Sequence, residues 1–167
     1  MDLAYGLEVV VGAILFALPA YIANMTPLIL SKILRRRRPM DMGKSWLDGK
    51  RVLGDSKSIE GFVAGVFAGF ATGLVISDPV RGLLMGFGAM MGDALGSFIK
   101  RRLDIAQGEP APFLDQYSFM LVALLLSYIA GYAPTLDQLV VILIATPILH
   151  VSSNYVAYLL KMRQKPF

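Results

Sequence analysis

Five apolar stretches, each near the length needed to cross a bilayer, constrain this chain more than any other feature. They fall at about Leu7–Leu34, Gly61–Ser77, Val80–Ile99, Gln116–Tyr132 and Leu136–Leu160. A helix needs about 20 predominantly apolar residues to cross roughly 30 Å of hydrocarbon. Composition agrees: 56% of residues are apolar and only 17% charged, against about 25% charged in a soluble domain. Mean hydropathy is +0.60. The expectation is an all-α, polytopic integral membrane protein with five transmembrane helices, one domain over residues 1–167. Its polar loops lie at about 35–57 and 100–115. The opening stretch lacks a basic leading region and runs too far for a cleaved signal, so it reads as a mature span.

The placement of charge gives the orientation. The segment from Ser31 to Lys57 holds nine cations, Lys100, Arg101 and Arg102 add three, and Lys161, Arg163 and Lys165 follow at the end. Arg81 alone lies on the other side. By the positive-inside rule the N-terminus is outside, and the C-terminus and both long loops are cytoplasmic. The run Arg35–Arg38 reads as a topology anchor drawn to anionic lipid.

Small residues describe the packing. Gly61, Gly65, Gly69 and Gly73 recur every fourth residue in the second stretch, and Gly88, Gly92 and Gly96 in the third. Such ridges let helix backbones approach closely. Pairing the second and third stretches would bring Lys57 and Glu60 close to Asp93. The first stretch is over-long and interrupted by Pro19 and by "NMTP" (Asn24–Pro27), so a kink or break is expected near its end.

One polar cluster stands out against this background. Asp93, Ser97 and Lys100 are spaced at i, i+4 and i+7, on one face of the third helix. A carboxylate inside a span costs about 2.5–3.5 kcal/mol on insertion scales, so it faces protein or water and has a partner. An internal ion pair of Asp93 with Lys100 or Arg101 is one reading; a functional site is the other. Asp115, opening the fourth stretch, is either a helix cap or a second carboxylate folded back toward Asp93 by Gly108, Pro110 and Pro112. Two such carboxylates suit a divalent metal; Mg²⁺ needs only one or two plus phosphate oxygens and water. Lys50, Arg51, Asp55 and Lys57 sit in "GKRVLGDSKS" (Gly49–Ser58) just before the second helix, where backbone N–H groups bind anions. That stretch is not a Walker A loop, which requires G-x-x-x-x-G-K-[ST]. Together these parts point to a phosphorylated substrate and a divalent metal at the membrane surface.

The chain has no cysteine, which excludes thiolate chemistry, and a single histidine, His150. His150 reads as a packing residue, and "HVSSNY" (His150–Tyr155), polar for a span end, is a candidate cavity lining.

Four ordered segments carry a resemblance: "LPAYIANMTPLIL", "LDGKRVLGDSKSIEGFVAG", "MGDALGSFIKRRLDIAQGEPAPFLDQ" and "TPILHVSSNYVAYLLKM". Over essentially its whole length the chain resembles the archaeal CDP-archaeol synthase family, compact relatives of the phosphatidate cytidylyltransferases. The resemblance implies Mg²⁺-dependent transfer of CMP from CTP to an isoprenoid-ether glycerol phosphate, releasing pyrophosphate in membrane phospholipid synthesis. It implies Asp93 and Asp115 as metal ligands, and Lys57 and Lys100 as catalytic cations that hold phosphate together with Arg101 and Arg102. Lys50, Arg51, Asp55, Ser97, Gln116 and Asn154 join them as substrate-binding candidates, with Asn24 near the nucleotide. Where the family reads closer to "GDGKTWRG", this chain has "GDSKSIEG" (Gly54–Gly61), so Glu60 either adds an acidic contact or pairs with a nearby cation. No nucleic acid and no obligate protein partner is expected.

Two other readings compete. A CDP-alcohol phosphotransferase begins D-G-x-x-A-R; "DGKR" (Asp48–Arg51) starts similarly, but no D-x-x-x-D follows. A small transporter would show an inverted repeat, and none is visible.

Overall fold

The computed structural model describes residues 3–34 and 36–161. Arg35, Arg163 and Lys165 of the charge count lie outside the described residues. Five helices follow in order: α1 (Leu3–Ile33), α2 (Ile59–Val75), α3 (Pro79–Arg102), α4 (Pro112–Ile129) and α5 (Leu136–Leu159). Four are long and apolar enough to cross a membrane; α2, at 17 residues, is the short one. The described residues contain no strand, only isolated bridges within the first polar loop. The second loop is shorter than expected, because α3 carries Lys100–Arg102 as its last turn and α4 begins at Pro112. Asp78 caps α3 by accepting from the Arg81 N–H, with Pro79 at the first helical position, where its missing N–H costs nothing.

Of the kink or break expected in α1, the break does not occur. The helix runs unbroken through Pro19 and Pro27. Pro27 has no N–H to give the Ala23 carbonyl, yet that oxygen is covered by the neighbouring helix. A Cβ on Gly65 of α2 would come within 2.9 Å of it. The Thr26 hydroxyl meanwhile donates to the Ile22 carbonyl at 2.7 Å. Close neighbours and hydroxyls of this kind let prolines persist inside spans.

Glycine decides which helix touches which, and it corrects the expected pairing of ridges. On α2, Gly69 meets Gly86 and Gly73 meets Gly82, backbone against backbone. The α3 ridge of Gly88, Gly92 and Gly96 instead packs on α4 against Ala123, Phe119 and Ser118. α3 is thus the hub, in contact with α1, α2 and α4, while α5 leans mainly on α1. A buried stripe of Ala13, Ala17, Ala20 and Ala23 on α1 completes the core with Met85, Ala89, Phe119 and Met120. A Cβ at Gly69 would stand 2.5 Å from the Gly86 Cα and 3.0 Å from the Gly82 carbonyl. Backbone cannot rotate away, so Gly69→Leu is expected to force α2 and α3 apart and cost about 1–3 kcal/mol. A lowered melting temperature in detergent checks this; wild-type melting would show that the seam is not tight.

Polar contacts gather at the two ends of the bundle. At one end the Tyr5 hydroxyl donates to Asp137 at 2.6 Å, and Arg81 pairs with Asp78 while lying over the Phe16 ring. At the other end lie both polar loops and the ends of α1 and α5, joined where Lys32 donates to the Lys161 carbonyl at 2.9 Å.

Candidate active site

The glycine seam sets α2 beside α3, and Ser58 starts α2 by accepting from the Gly61 N–H at 3.1 Å. Lys57, the residue before that cap, is thereby held over α3, where its Nζ donates to Asp93 Oδ2. Asp93 therefore pairs with Lys57 and not with Lys100 or Arg101. Among the described residues this is its one hydrogen bond, and its side chain remains one-third exposed. The pair lines a recess of about 40 Å³ with Ser56, Ser58, Met40, Pro27, Phe62 and Met90. That space accommodates an ion with water or part of one phosphoryl group; a nucleotide, whose sites run to about 300 Å³ or more, must extend over the loops outside.

Two turns further along α3, Lys100 is 8% exposed. Its ammonium donates to both Asp115 oxygens, at 2.9 and 3.0 Å, and to the Glu109 carbonyl at 2.7 Å. Asp115 Oδ2 also accepts from the Ala111 N–H at 2.8 Å. Asp115 is thus both an end-of-helix acceptor and an ion-pair partner, and both its oxygens are engaged. The two carboxylates differ accordingly. Asp93 keeps Oδ1 without a hydrogen bond among the described residues, whereas Asp115 is committed to closing the 103–111 loop.

The first loop is built around a residue that the sequence reading passed over. Asp41, its side chain fully buried, accepts from Arg51 at 2.9 and 3.2 Å and from the N–H groups of Gly43, Leu53 and Gly54 at 3.0, 3.0 and 2.9 Å. Burial alone would push this carboxyl up, but the Arg51 guanidinium and the three backbone donors outweigh it and hold the group well below its ordinary value. The same contact and Asp55 raise Arg51 above its usual range. Gly54 adopts φ +99°, open to glycine, and a Cβ there would lie 2.9 Å from Gln107 Oε1 and 3.4 Å from Arg101 Nη1. Asp41 therefore shapes the turn that leads to Lys57. The signal was "DMG": an Asp accepting from the N–H two residues on is an Asx-turn.

The remaining expected site residues separate by their partners. Several tie the first loop to the end of α3. Lys50 pairs with Asp104 at 2.6 Å, Arg102 pairs with Asp48 at 2.7 Å and donates to the Arg51 carbonyl at 2.7 Å, and Arg102 also lies over the Phe98 ring; within the loop itself Arg51 pairs with Asp55 at 2.7 Å. Trp46 packs edge-on against the same Phe98 ring. Arg101 stands apart, with no carboxylate partner among the described residues and a buried Nε lacking a hydrogen-bond partner. It lies beside Gly54 and Gln107, and Gln107 Oε1 accepts from the Asp55 N–H at 3.2 Å. Asn24, Ser97 and Gln116 are half-buried and make no side-chain hydrogen bond among the described residues. Asn154 lies within hydrogen-bond distance of His150 Nδ1, at 3.3 Å, on α5, and the His150 ring stacks on Phe119. Glu60 pairs with Arg38 at 2.8 Å, which resolves its two readings in favour of a nearby cation.

Four helices of membrane-spanning length, with a lysine–aspartate pair and a folded cationic loop gathered at one end, define a polytopic membrane protein. Its relatives sharpen that class. The CarS-like CDP-archaeol synthase family model matches residues 6–78 and 73–167. A CDP-archaeol synthase of Methanopyrus kandleri is 44% identical over 160 residues, covering 91% of this chain and 90% of that one. Another, of Aeropyrum pernix, is 42% identical over 165 residues, with 95% and 92% covered. A solved intramembrane enzyme of archaeal membrane lipid biosynthesis superposes with a TM-score of 0.73 at 44% identity, spanning 85% of this chain and 92% of its own. The chain belongs to the CDP-archaeol synthase family.

Proposed function

We propose that this protein transfers CMP from CTP to an archaeal isoprenoid-ether glycerol phosphate, forming CDP-archaeol and pyrophosphate at the cytoplasmic face of the cell membrane. The observation that carries the reading is the Lys57–Asp93 pair in its recess, in a chain of this family. The arrangement suits the chemistry. A lipid phosphate and a nucleotide triphosphate are both anions, so their union requires cations and a metal to screen them. No general base is needed, because a phosphate monoester is already ionised near pH 7, its second pKa being about 6.

Among the described residues no three carboxylates, imidazoles or thiols come together. Mg²⁺ held through one or two carboxylates plus phosphate oxygens and water requires no such cage, so the residues fit it. Asp93, with an oxygen to spare, would hold the ion, and Asp115 would join only by giving up part of its contact with Lys100. Bound there, Mg²⁺ would neutralise developing charge on the phosphates. Lys57, released from Asp93, would hold one phosphate. Arg101, lacking a carboxylate partner among the described residues, would take the triphosphate beyond the recess. The lipid phosphate oxygen forms a bond to the α-phosphorus of CTP as the α–β bridge breaks, and its electrons leave with pyrophosphate. The cationic end of the bundle faces the cytoplasm by the positive-inside rule.

Incubating the purified protein with labelled CTP and geranylgeranyl glycerol phosphate, with Mg²⁺ and then with EDTA, tests this directly. Metal-dependent CDP-lipid with matching pyrophosphate is the expected result. Folded protein that makes neither would overturn the reading. CMP release from a CDP-lipid on adding an alcohol would instead favour a phosphotransferase.

A further inference from the structure

The first polar loop is rich in charge, yet its tip is apolar. Residues 46–49 form a tight turn, in which the Gly49 N–H donates to the Trp46 carbonyl at 3.0 Å and the Trp46 N–H to the Lys50 carbonyl at 2.8 Å. Leu47 stands at the apex and is 95% exposed, with Trp46 beside it half-exposed. The charges of the turn are directed the other way. Asp48 pairs with Arg102 at 2.7 Å and Lys50 with Asp104 at 2.6 Å, and the Trp46 ring rests edge-on against Phe98 with centroids 5.4 Å apart. These contacts pin the turn to the end of α3, so that Leu47 is a fixed apolar projection.

The height of the turn identifies what meets it. Phe98 lies four residues, about 6 Å of helix, before Arg102 at the end of α3. Along the same helix Met91, Leu95 and Ile99 are exposed at four-residue intervals, with Leu103 just beyond its end. In a membrane-spanning helix such an unpaired apolar stripe faces lipid. Trp46 therefore stands where that stripe gives way to Lys100, Arg101 and Arg102, the level of the boundary between acyl chains and headgroups. Tryptophan favours that boundary, because its ring is apolar and its N–H still needs a polar partner. Lys44, exposed and without a carboxylate partner among the described residues, adds a cation that reaches headgroup phosphates. A protein partner fits less well: two neighbouring side chains fall far short of the roughly 800 Å² that each side of a stable interface buries, whereas seating a turn in a bilayer needs no such area.

We infer that the Trp46–Leu47 turn is an interfacial anchor that dips into the bilayer at the charged end of the bundle, with Leu47 among the upper acyl carbons and Trp46 at the headgroup boundary. The consequence is positional. The same loop continues through Arg51 and Gly54 to Lys57, so a seated tip holds its cations against the surface where phosphate-headed lipids lie. The anchor is a contact with bulk lipid and does not depend on the proposed activity.

Composition makes the test direct, because Trp46 is the single tryptophan and the chain has no cysteine. Wild-type protein is placed in nanodiscs of phosphatidylcholine and phosphatidylglycerol whose lipids carry a nitroxide at a shallow or a deep chain carbon. The shallow label should quench Trp46 emission more than the deep one, and acrylamide in the water should quench it little. Strong acrylamide quenching with none from either lipid would place the turn in water and overturn the inference. Protection from acrylamide and from both lipids would assign the turn to a protein contact and overturn it equally. A nitroxide attached at Leu47→Cys gives a second reading, at a side chain so exposed that its replacement leaves the fold intact. Its collisions with oxygen, which concentrates in hydrocarbon, should outnumber those with a water-soluble nickel chelate; the reverse order would overturn the anchor. Leu47→Asp should lose most of the shallow-label quenching of Trp46, and quenching unchanged in that variant would show that Leu47 does not seat the turn.

Discussion

Asp93→Asn is expected to lower CMP transfer by about a hundredfold or more, the scale seen when a single group that stabilises transition-state charge is removed. The amide removes the negative charge that would hold Mg²⁺ and leaves the Lys57 ammonium without its counter-ion. Helix α3 should remain intact, because the core around it rests on glycine and alanine contacts and not on this pair. A Mg²⁺ titration of the residual activity is the decisive readout: the half-saturating concentration should rise steeply in Asp93→Asn. Asp115→Asn gives the contrast. Both Asp115 oxygens are engaged by Lys100 and the Ala111 N–H, so its loss should lower thermal stability along with activity. Equal Mg²⁺ dependence in wild type and Asp93→Asn would remove Asp93 from the metal site.

Asp41→Ala should have the largest effect on stability, about 2–4 kcal/mol. It strands the N–H groups of Gly43, Leu53 and Gly54 and deprives Arg51 of a buried carboxylate. Asp41→Asn retains one acceptor oxygen and should fall between the two. Melting in detergent, with limited proteolysis of the 36–58 loop, reads the loss; an Ala variant that melts like wild type would show that the loop is held by other contacts. Activity should fall with the loop, since Gly54 begins the turn to Lys57. The acid dependence has a definite sign. The folded Asp41 carboxyl lies well below its ordinary value of 3.8, so its stabilisation is fully present above about pH 4 and is lost as pH falls toward the folded-state value. Asp41→Asn should accordingly flatten the acid limb of the stability profile.

Residue patterns made much of this legible. Spans, loops and the isolation of Arg81 follow from lengths of apolar sequence and the placement of cations. Asp93 was conspicuous because a carboxylate within a span demands a reason. Asp41 was not, because a charged residue in a charged loop looks like any other; its burial exists only after Leu53 and Gly54 fold back onto it. Of the kink or break foreseen near Pro27, the break does not form, for a similar reason. A helix alone would be weakened by an unpaired carbonyl, but Gly65 of another helix covers it.

The sequence by itself determined a membrane bundle of five helices, the end at which its charge collects, and the residue types available for phosphate chemistry. Those follow from local period and from the cost of burying charge in hydrocarbon, which each segment meets alone. Only the tertiary structure decided which lysine meets which aspartate. Asp93 takes Lys57 and Asp115 takes Lys100 because Gly69 and Gly86 draw α2 to α3 while Gly92 draws α4 to its other side. Glycine sets how near two backbones come, and that nearness exists only between helices.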